Sequence, residues 1–244
     1  MKELEFPRIG ERCYYDTLPN GLPVYVLPKP GFSKSFAFFA VHYGGNDTHF
    51  RVGERWRQTP AGVAHYLEHK MFDMPEGNAL QVMSERGASV NAFTGADMTG
   101  YYFSSTDFVY ENLRDLLRFV TTPYFTEESV AKEQGIIGQE IRMIEDDPDW
   151  QIYHHLMQAL YTAHPIRNGV AGSVESIAAI TPEILESCHK TFYQPSNMVL
   201  CVAGSVDPRE VFRVAAAIVP ADEKRTIWRD HGEPETLESA EQET

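Results

Sequence analysis

Cysteines are scarce in this sequence, and they are not arranged as metal ligands or as disulfide partners. The 244 residues contain three of them, Cys13, Cys188 and Cys201, which lie far apart and form no Cys-x-x-Cys pair. An odd and scattered set of thiols argues against a disulfide framework and against a cysteine-rich zinc site. We expect three reduced thiols, at least two of them in apolar surroundings.

Long apolar runs are also missing. No run approaches the roughly 18–20 apolar residues that a membrane-spanning helix needs. Residues 1–16 lack the apolar core that is typical of secretory signals. We therefore expect a soluble, cytoplasmic protein with no membrane partner.

Basic residues are also few compared with acidic ones. The chain has 21 Lys and Arg against 35 Asp and Glu, so its formal net charge is −14. A phosphate backbone would be repelled, and no dense Lys/Arg stripe offsets this repulsion, so we expect no nucleic-acid partner. The acidity could attract cationic peptides or could serve solubility alone, and the sequence leaves both interpretations open.

The apolar residues, 43% of the chain, fall into segments of two kinds. Asn20-Gly21 lies between apolar stretches and predicts a β-hairpin, because both residues tolerate positive φ. Since strands and helices are mixed without regular βαβ alternation, we predict the α+β class, with a mainly antiparallel sheet and helices packed on it. The predicted strands lie at residues 35–43, 88–94, 99–106 and 197–204, and the predicted helices at residues 79–87, 108–123, 126–148, 149–161, 181–193 and 208–219.

One further helix is predicted to begin at Thr59 and Pro60, where threonine can cap and proline fits the first helical position. Thr126 is predicted to cap the helix that follows it. Gly135 and Gly138 lie inside that helix and suggest that another backbone approaches it closely. Residues 232–244 contain five Glu and no Lys or Arg, which predicts an acidic linker or tail.

The segment Gly62–Phe72, GVAHYLEHKMF, carries the most informative pattern. His65 and His69 are i and i+4 on the predicted helix, so they share a face on which two imidazoles can converge on one metal ion. Glu68 is adjacent. HxxEH is the inverse of the HExxH zinc pair of metalloproteases, in which the Glu is the general base. The alternative is an ordinary surface i, i+4 pair.

Catalytic zinc normally has three protein ligands, so two histidines require a third from elsewhere. Glu140 lies in an apolar helix where an unpaired carboxylate would be costly, and Glu133 lies two turns earlier on nearly the same face. The two acids suggest one ligand and one partner that orients a histidine. The competing interpretation is a solvated helix face shared with Lys132 and Arg142. The remaining histidines are expected to make ordinary hydrogen bonds: His42, His49, His154, His155, His164, His189 and His231.

HYLEH, followed downstream by Glu133 and Glu140, resembles the pitrilysin/insulinase family of inverzincin zinc metallopeptidases, which includes mitochondrial processing peptidase and bacterial processing-peptidase-like proteins. The likeness extends to LPNGLPVYV, GASVNAFTGADMTGYYF, HPIRNGVAGSVESIAAIT and FYQPSNMVLCVAG, in that order. Together these segments cover most of residues 14–207. The resemblance implies one half of a pitrilysin-type clamshell, with an N-terminal metallopeptidase domain at residues 1–231 and the linker or tail at 232–244.

The resemblance also implies roles for individual residues. His65, His69 and Glu140 would bind Zn²⁺, Glu68 would be the general base, and Glu133 would support the site from behind the ligands. An extended peptide substrate would pair with the strand that contains Asn91, Ala92, Phe93 and Thr94. The implied reaction is endopeptidase hydrolysis of peptides or unfolded segments.

The departure from the family is size, since members usually have two homologous halves and this chain contains one. We expect a second half as partner, whether a C-terminal domain, a second copy or a paralogous subunit. A non-catalytic peptide-binding or structural subunit of such an assembly is the alternative. A third hypothesis is a different hydrolase with the same inverted motif. The sequence does not specify the peptide substrate, and it leaves another divalent metal open.

Overall fold

Seven strands form one sheet in the computed structural model, which describes residues 1–222 and 224–233. The strand order is β1-β2-β3-β11-β4-β10-β9, and among these pairs only β3 and β11 run parallel. The prediction of a mainly antiparallel sheet in an α+β fold is therefore confirmed. The described strands are β1 (Lys2–Phe6), β2 (Glu11–Thr17), β3 (Pro23–Pro28), β4 (Ser35–Val41), β5 (His49–Val52), β6 (Arg55–Gln58), β7 (Asp73–Met74), β8 (Gly77–Asn78), β9 (Ser89–Thr94), β10 (Thr99–Ser105), β11 (Met198–Gly204) and β12 (Ile227–Arg229).

Helices cover one face of this sheet, where α1, α3 and α8 contact its strands. That face carries Val24, Phe39, Tyr101 and Leu200, which are opposite one another in the strand register and fully buried. The described helices are α1 (Val63–Lys70), α2 (Ala79–Glu85), α3 (Val109–Thr121), α4 (Glu127–Glu145), α5 (Pro148–Leu160), α6 (Val174–Ala178), α7 (Pro182–Phe192) and α8 (Pro208–Ile218). None of these helices is long and apolar enough to cross a membrane.

Local sequence signals explain where most elements begin. Thr126 caps α4, as predicted: its hydroxyl accepts a hydrogen bond from the Ser129 amide at 3.1 Å, and its own amide donates one to the Ser129 hydroxyl at 3.2 Å. The predicted hairpin joins β2 to β3 through residues 18–22, in which Gly21 has φ +91°. Cys13, Cys188 and Cys201 are free thiols, and the first two are buried. The predicted acidic tail lies outside the described residues from position 234 onward.

The predicted start of the helix that carries His65 is wrong. The helix α1 begins at Val63, and its N-cap is Gly62 with φ +95°. Thr59 instead bonds to the Thr48 carbonyl through its amide at 2.9 Å and its hydroxyl at 3.3 Å. The pairing of β5 with β6, which continues through Thr48 and Thr59, therefore holds the predicted cap outside the helix.

The true start of α1 is set by a close backbone approach. A Cβ on Gly62 would lie 2.5 Å from the Ala171 carbonyl oxygen, and a Cβ on Gly172 would lie 2.5 Å from the Ala61 carbonyl oxygen. Ser176 adds a hydrogen bond from its hydroxyl to the same Ala61 oxygen at 2.9 Å. These contacts seat the loop before α6 against the first turn of α1.

The glycines inside α4 do not have the role expected of them. A Cβ on Gly135 would meet no atom within 4 Å, and a Cβ on Gly138 would meet only side-chain atoms of Ile177 and Arg142, at 3.9 and 4.0 Å. The expectation of a close backbone approach at these two positions is therefore wrong. The close approach occurs at Gly62, whose backbone lies against that of Ala171.

Gly62 and Gly135 have different surroundings, so replacing each with alanine should change the stability of the fold in opposite directions. Gly62→Ala should destabilise the fold by more than about 1 kcal/mol, because φ is positive there and the new methyl group meets backbone. Gly135→Ala, the matched control, should stabilise it by roughly 0.5–1 kcal/mol, because a helix-interior glycine gains a helix former in open space. Urea unfolding of both variants measures this, and equal midpoints would contradict the geometry.

Candidate metal centre

The helix α1 places two imidazoles on one face and packs them toward α4. His65 and His69 have ring centroids 4.7 Å apart, as expected for i and i+4 neighbours. The facing helix α4 contributes Glu133 and Glu140. The same α1 buries Tyr66 and Leu67 completely, so one short helix supplies both core packing and the polar cluster.

Three side chains converge at this place. The Nε2 atom of His65 lies 3.6 Å from Oε1 of Glu140, and Nε2 of His69 lies 3.3 Å from Oε2 of the same carboxylate. One ligand atom from each of the three lies within 4.8 Å of the other two, and no second such His/Cys/Asp/Glu group occurs in the described part of the chain. The arrangement could hold a metal ion with two nitrogen ligands and one oxygen ligand.

Glu133 fixes the orientation of His69 from behind. Its Oε1 lies 2.9 Å from Nδ1 of His69. A carboxylate at Nδ1 favours the tautomer with the proton on that nitrogen, which leaves Nε2 free to face Glu140. Glu133 and Glu140 therefore occupy different sides of one ring, and they cannot have the same role.

Glu68 lies beside the cluster but is not part of it. Its Oε2 accepts a hydrogen bond from the Thr94 hydroxyl at 3.0 Å. Thr94 is the last residue of β9, so this bond ties α1 to the end of that strand. The carboxylate is thereby held next to the two imidazoles while one of its oxygens keeps capacity to accept a proton.

Electrostatics favour a cation here. Burial lowers the pKa of His69, but the hydrogen bond that its ring donates to Glu133 and the charges of Glu68, Glu133 and Glu140 outweigh this effect and raise the pKa overall. The nearby imidazole of His65, followed by the charge of His69, lowers the pKa of Glu140 against the opposing effect of burial. Three carboxylates thus surround two imidazoles, a donor set that fits a divalent cation.

His65 supports the same conclusion. It is 9% exposed, and its Nδ1 is buried without a hydrogen-bond partner in the structure. Its Nε2 has only the Glu140 oxygen at 3.6 Å, which is longer than a hydrogen bond. A cation between Nε2 and Glu140 would give this buried ring a strong partner.

The cluster lines a cavity of about 470 Å³. One wall is β9, the edge strand of the sheet, through Ala92, Phe93 and Thr94. Asn91, predicted with them, is not a lining residue, and its side-chain oxygen accepts a hydrogen bond from the Ala92 amide at 2.8 Å. The edge of β9 that faces away from β10 has no strand partner among the described residues.

The opposite wall was missed by sequence reasoning. It contains Trp150, Tyr153 and His154 from α5 and the loop Gly169–Gly172. The Trp150 and His154 rings stack with centroids 4.6 Å apart and an interplanar angle of 13°. The sequence did contain a signal, because Trp150, Tyr153 and His154 have the i, i+3, i+4 spacing of one helix face and α5 has almost no charge. A helix buried in the core has the same pattern, so the signal did not indicate a site.

Histidines elsewhere make the ordinary contacts that were expected of them. His189 is buried, its Nε2 lies 3.1 Å from the Val120 carbonyl, and burial lowers its pKa to about 4. His49 lies 2.9 Å from Asp230, and His164 accepts a hydrogen bond from the Ile166 amide at 3.1 Å. These rings belong to the scaffold.

Family models match most of the chain. The model described as insulinase, peptidase family M16, matches residues 52–174, a range that contains His65, Glu68, His69, Glu133 and Glu140. A second model, described as the peptidase M16 inactive domain, matches residues 179–228.

Individual relatives agree with these models. An uncharacterized zinc protease of Bacillus subtilis is 47% identical over 213 residues, which are 86% of this chain and 50% of the relative. A probable mitochondrial-processing peptidase subunit beta of Arabidopsis thaliana is 28% identical over 80% of this chain and 36% of its own length. A crystal structure described as an M16-like peptidase from Alicyclobacillus acidocaldarius matches with a TM-score of 0.89 and 42% identity, over 94% of this chain and 54% of that one. This chain thus spans about half the length of the Bacillus subtilis and Alicyclobacillus acidocaldarius proteins and about a third of the Arabidopsis thaliana one.

Removal of any one of the three converging side chains should abolish tight metal binding. Loss of a residue that only orients a metal ligand typically lowers metal affinity by about 10–100-fold. His65→Ala, His69→Ala and Glu140→Ala should each lower Zn²⁺ affinity by more than that, because each removes a ligand. Glu128→Gln, an exposed glutamate on the same helix as Glu140, is the matched control and should retain the metal. Plasma emission after dialysis measures this, and near-stoichiometric zinc in all three variants would refute the site.

Glu133→Gln should weaken metal binding less than Glu140→Gln. Glu133 contacts only the far nitrogen of His69 within the cluster, so its loss should cost about 10–100-fold in affinity through misorientation of the ring. Competition with a chelator ranks the two variants. A larger loss for Glu133→Gln would mean that the two roles are reversed.

Proposed function

This chain belongs to the insulinase family of peptidases, peptidase family M16, and on that premise we propose that it is a zinc-dependent endopeptidase domain. Its substrates would be peptides or unfolded segments held as an extended strand. The observation that carries the proposal is the convergence of His65, His69 and Glu140 to within 4.8 Å. Their cavity also contains Glu68 and the edge of β9 that has no strand partner in the described part of the chain.

The proposed zinc ligands are His65, His69 and Glu140, with Glu133 holding the ring of His69. When bound, Zn²⁺ supplies Lewis acidity, which lowers the pKa of a bound water toward about 7 and polarises a carbonyl group. The name of the Bacillus subtilis relative, a zinc protease, supports this choice of metal. The nitrogen and oxygen ligands also suit other divalent ions.

Glu68 is proposed as the general base. It would accept a proton from the attacking water and later deliver that proton to the nitrogen of the leaving amine. The Thr94 hydroxyl, at 3.0 Å, holds one carboxylate oxygen in place and leaves the other for this transfer. Because Thr94 also ends the edge strand, the base and the peptide-binding edge are positioned by one contact.

The edge strand β9 is the proposed substrate-binding element. An extended peptide that adds to a sheet edge is held by main-chain hydrogen bonds, which tolerate many sequences. Ala92, Phe93 and Thr94 bring that edge to the metal cluster. The cavity lining also includes Ile141, Ile144 and Trp150, whose apolar side chains suit an apolar substrate side chain.

A second homologous half is the proposed partner, as a further domain, a second copy or a paralogous subunit. The chain covers 50% of the Bacillus subtilis relative and 54% of the Alicyclobacillus acidocaldarius structure, which supports a two-half assembly. A closing half would exclude water from the cavity and strengthen electrostatic interactions in it.

A non-catalytic peptide-binding or structural subunit is the second candidate function. The match of residues 179–228 to a model described as the M16 inactive domain favours it. Glu68 argues against it, since a purely structural metal site has no use for a nearby base. The two candidates differ in whether Glu68 affects turnover.

Glu68→Gln should keep the metal and the fold but abolish hydrolysis, because the amide is nearly the size of the carboxylate and cannot accept the proton. A quenched-fluorescent peptide assay on the polypeptide that carries both halves measures turnover, with plasma emission for the metal. Glu128→Gln is again the control and should be fully active. Wild-type turnover in Glu68→Gln would place the base elsewhere.

The 244-residue chain alone should bind zinc but hydrolyse peptides poorly. One half leaves the site open to water, so positioning and electrostatic stabilisation are weaker than in a closed chamber. Addition of the second half should raise kcat/KM by orders of magnitude. Equal activity per metal in both forms, at chain concentrations that disfavour self-association, would show that one half is a complete enzyme.

A further inference from the structure

The helix α5 is exposed along its whole length although it is apolar. None of its residues is buried, and its only Asp, Glu, Lys or Arg is Asp149. A helix that faces water all round is normally polar all round. Ile152, Leu156 and Leu160 are 68%, 49% and 51% exposed, and their i, i+4, i+8 spacing puts them on one face, the α5 stripe.

The first half of α5 borders the candidate active site. Trp150, Tyr153 and His154 line the cavity that contains the metal cluster. Tyr153 follows Ile152 directly in the helix and is itself 54% exposed. Trp150 and His154 are each two positions from Ile152, so they lie on the opposite side of the helix, and a body that covered the α5 stripe would pack behind this wall of the cavity.

The other end of α5 borders the place where the described chain ends. A Cβ on Gly232 would lie 3.2 Å from the Cβ of Ala163, and the rings of His231 and His164 have centroids 5.5 Å apart. His231 is held in turn by Asp47, at 3.4 Å. Gly232 thus lies against Ala163, three positions after Leu160, at the C-terminal end of α5.

We propose that the α5 stripe is the docking surface for the second half of the peptidase. This rests on the proposed two-half function, and the partner chemistry that it requires is an uncharged, apolar patch. The relatives are about twice as long as this chain, so a body of comparable size is available as occupant. The eleven residues 234–244 reach at most roughly 36–40 Å, whereas a 13-residue helix is about 20 Å long, so a domain after them can reach the whole stripe.

Docking there accounts for both properties of α5. Burial of three aliphatic side chains would give this helix the apolar partner that it lacks among the described residues. The docked half would then support from behind the wall of the cavity that Trp150 and His154 form opposite β9. Specificity and docking would share one helix: Trp150 and Tyr153 toward the cavity, and Ile152 and Leu156 toward the partner.

Hydrogen exchange tests the proposal in the intact protein. The α5 amides should exchange at least 10-fold more slowly in the polypeptide that carries both halves than in the 244-residue chain. The double variant Ile152→Glu/Leu156→Glu should restore fast exchange in the longer polypeptide and increase its radius of gyration in X-ray scattering. Both positions are exposed on a helix and glutamate favours helix, so the variant should fold.

The matched control is Ile9→Glu, which replaces a 72% exposed aliphatic residue next to β1, at the opposite edge of the sheet from β9. It should change neither quantity. Equal α5 exchange in the two polypeptides would overturn the proposal, as would protection in the 244-residue chain that rises with its concentration, because a second copy would then be the occupant. Neither readout needs turnover, so an inactive protein with a protected α5 would refute the proposed catalysis and leave the docking surface standing.

Discussion

The packing of α1 against α4 is the interaction on which the candidate site depends. The two helices are separated by more than fifty residues of sequence, yet Tyr66 donates a hydrogen bond to the Val130 carbonyl at 2.5 Å, and His69 lies 2.9 Å from Glu133. Each contact joins a residue to one 64 positions later. Without this register Glu140 would not face the histidine pair, and α1 would present two imidazoles with no third ligand.

The sheet completes the candidate site, because its strand order leaves β9 at an edge. Strand β11 comes late in the chain and inserts between β3 and β4, so the centre of the sheet is closed by a long-range pairing. β10 then pairs with β4 and β9 with β10, which puts β9 outermost. An exposed edge usually invites unwanted pairing, but here it ends in Thr94, whose hydroxyl holds the proposed base.

What could be predicted from the sequence was local in origin. The i, i+4 geometry of His65 and His69 follows from helix periodicity alone, and the Thr126 cap follows from side-chain chemistry within three residues. The start of α1 could not be predicted, because positive φ at Gly62 is needed only where Ala171, more than a hundred residues later, comes within contact. Likewise, the walls at Trp150 and Gly169 join the site through tertiary approach. The resemblance to a family supplied Glu140 as third ligand, where residue patterns alone had left a solvated helix face open.

Charge connects the site to the stability of the fold. Glu68, Glu133 and Glu140 all act on His69, and carboxylates that are partly buried near one another repel unless a cation or a proton lies between them. In the absence of metal, protonation of His69 offsets part of that repulsion, which is why its pKa is raised. A divalent ion would do so more completely, and because it binds the folded state it would stabilise that state by RT ln(1 + [L]/Kd), about 2.7 kcal/mol at 100 times Kd. A metal ion bound at this cluster would therefore also help to hold α1 against α4.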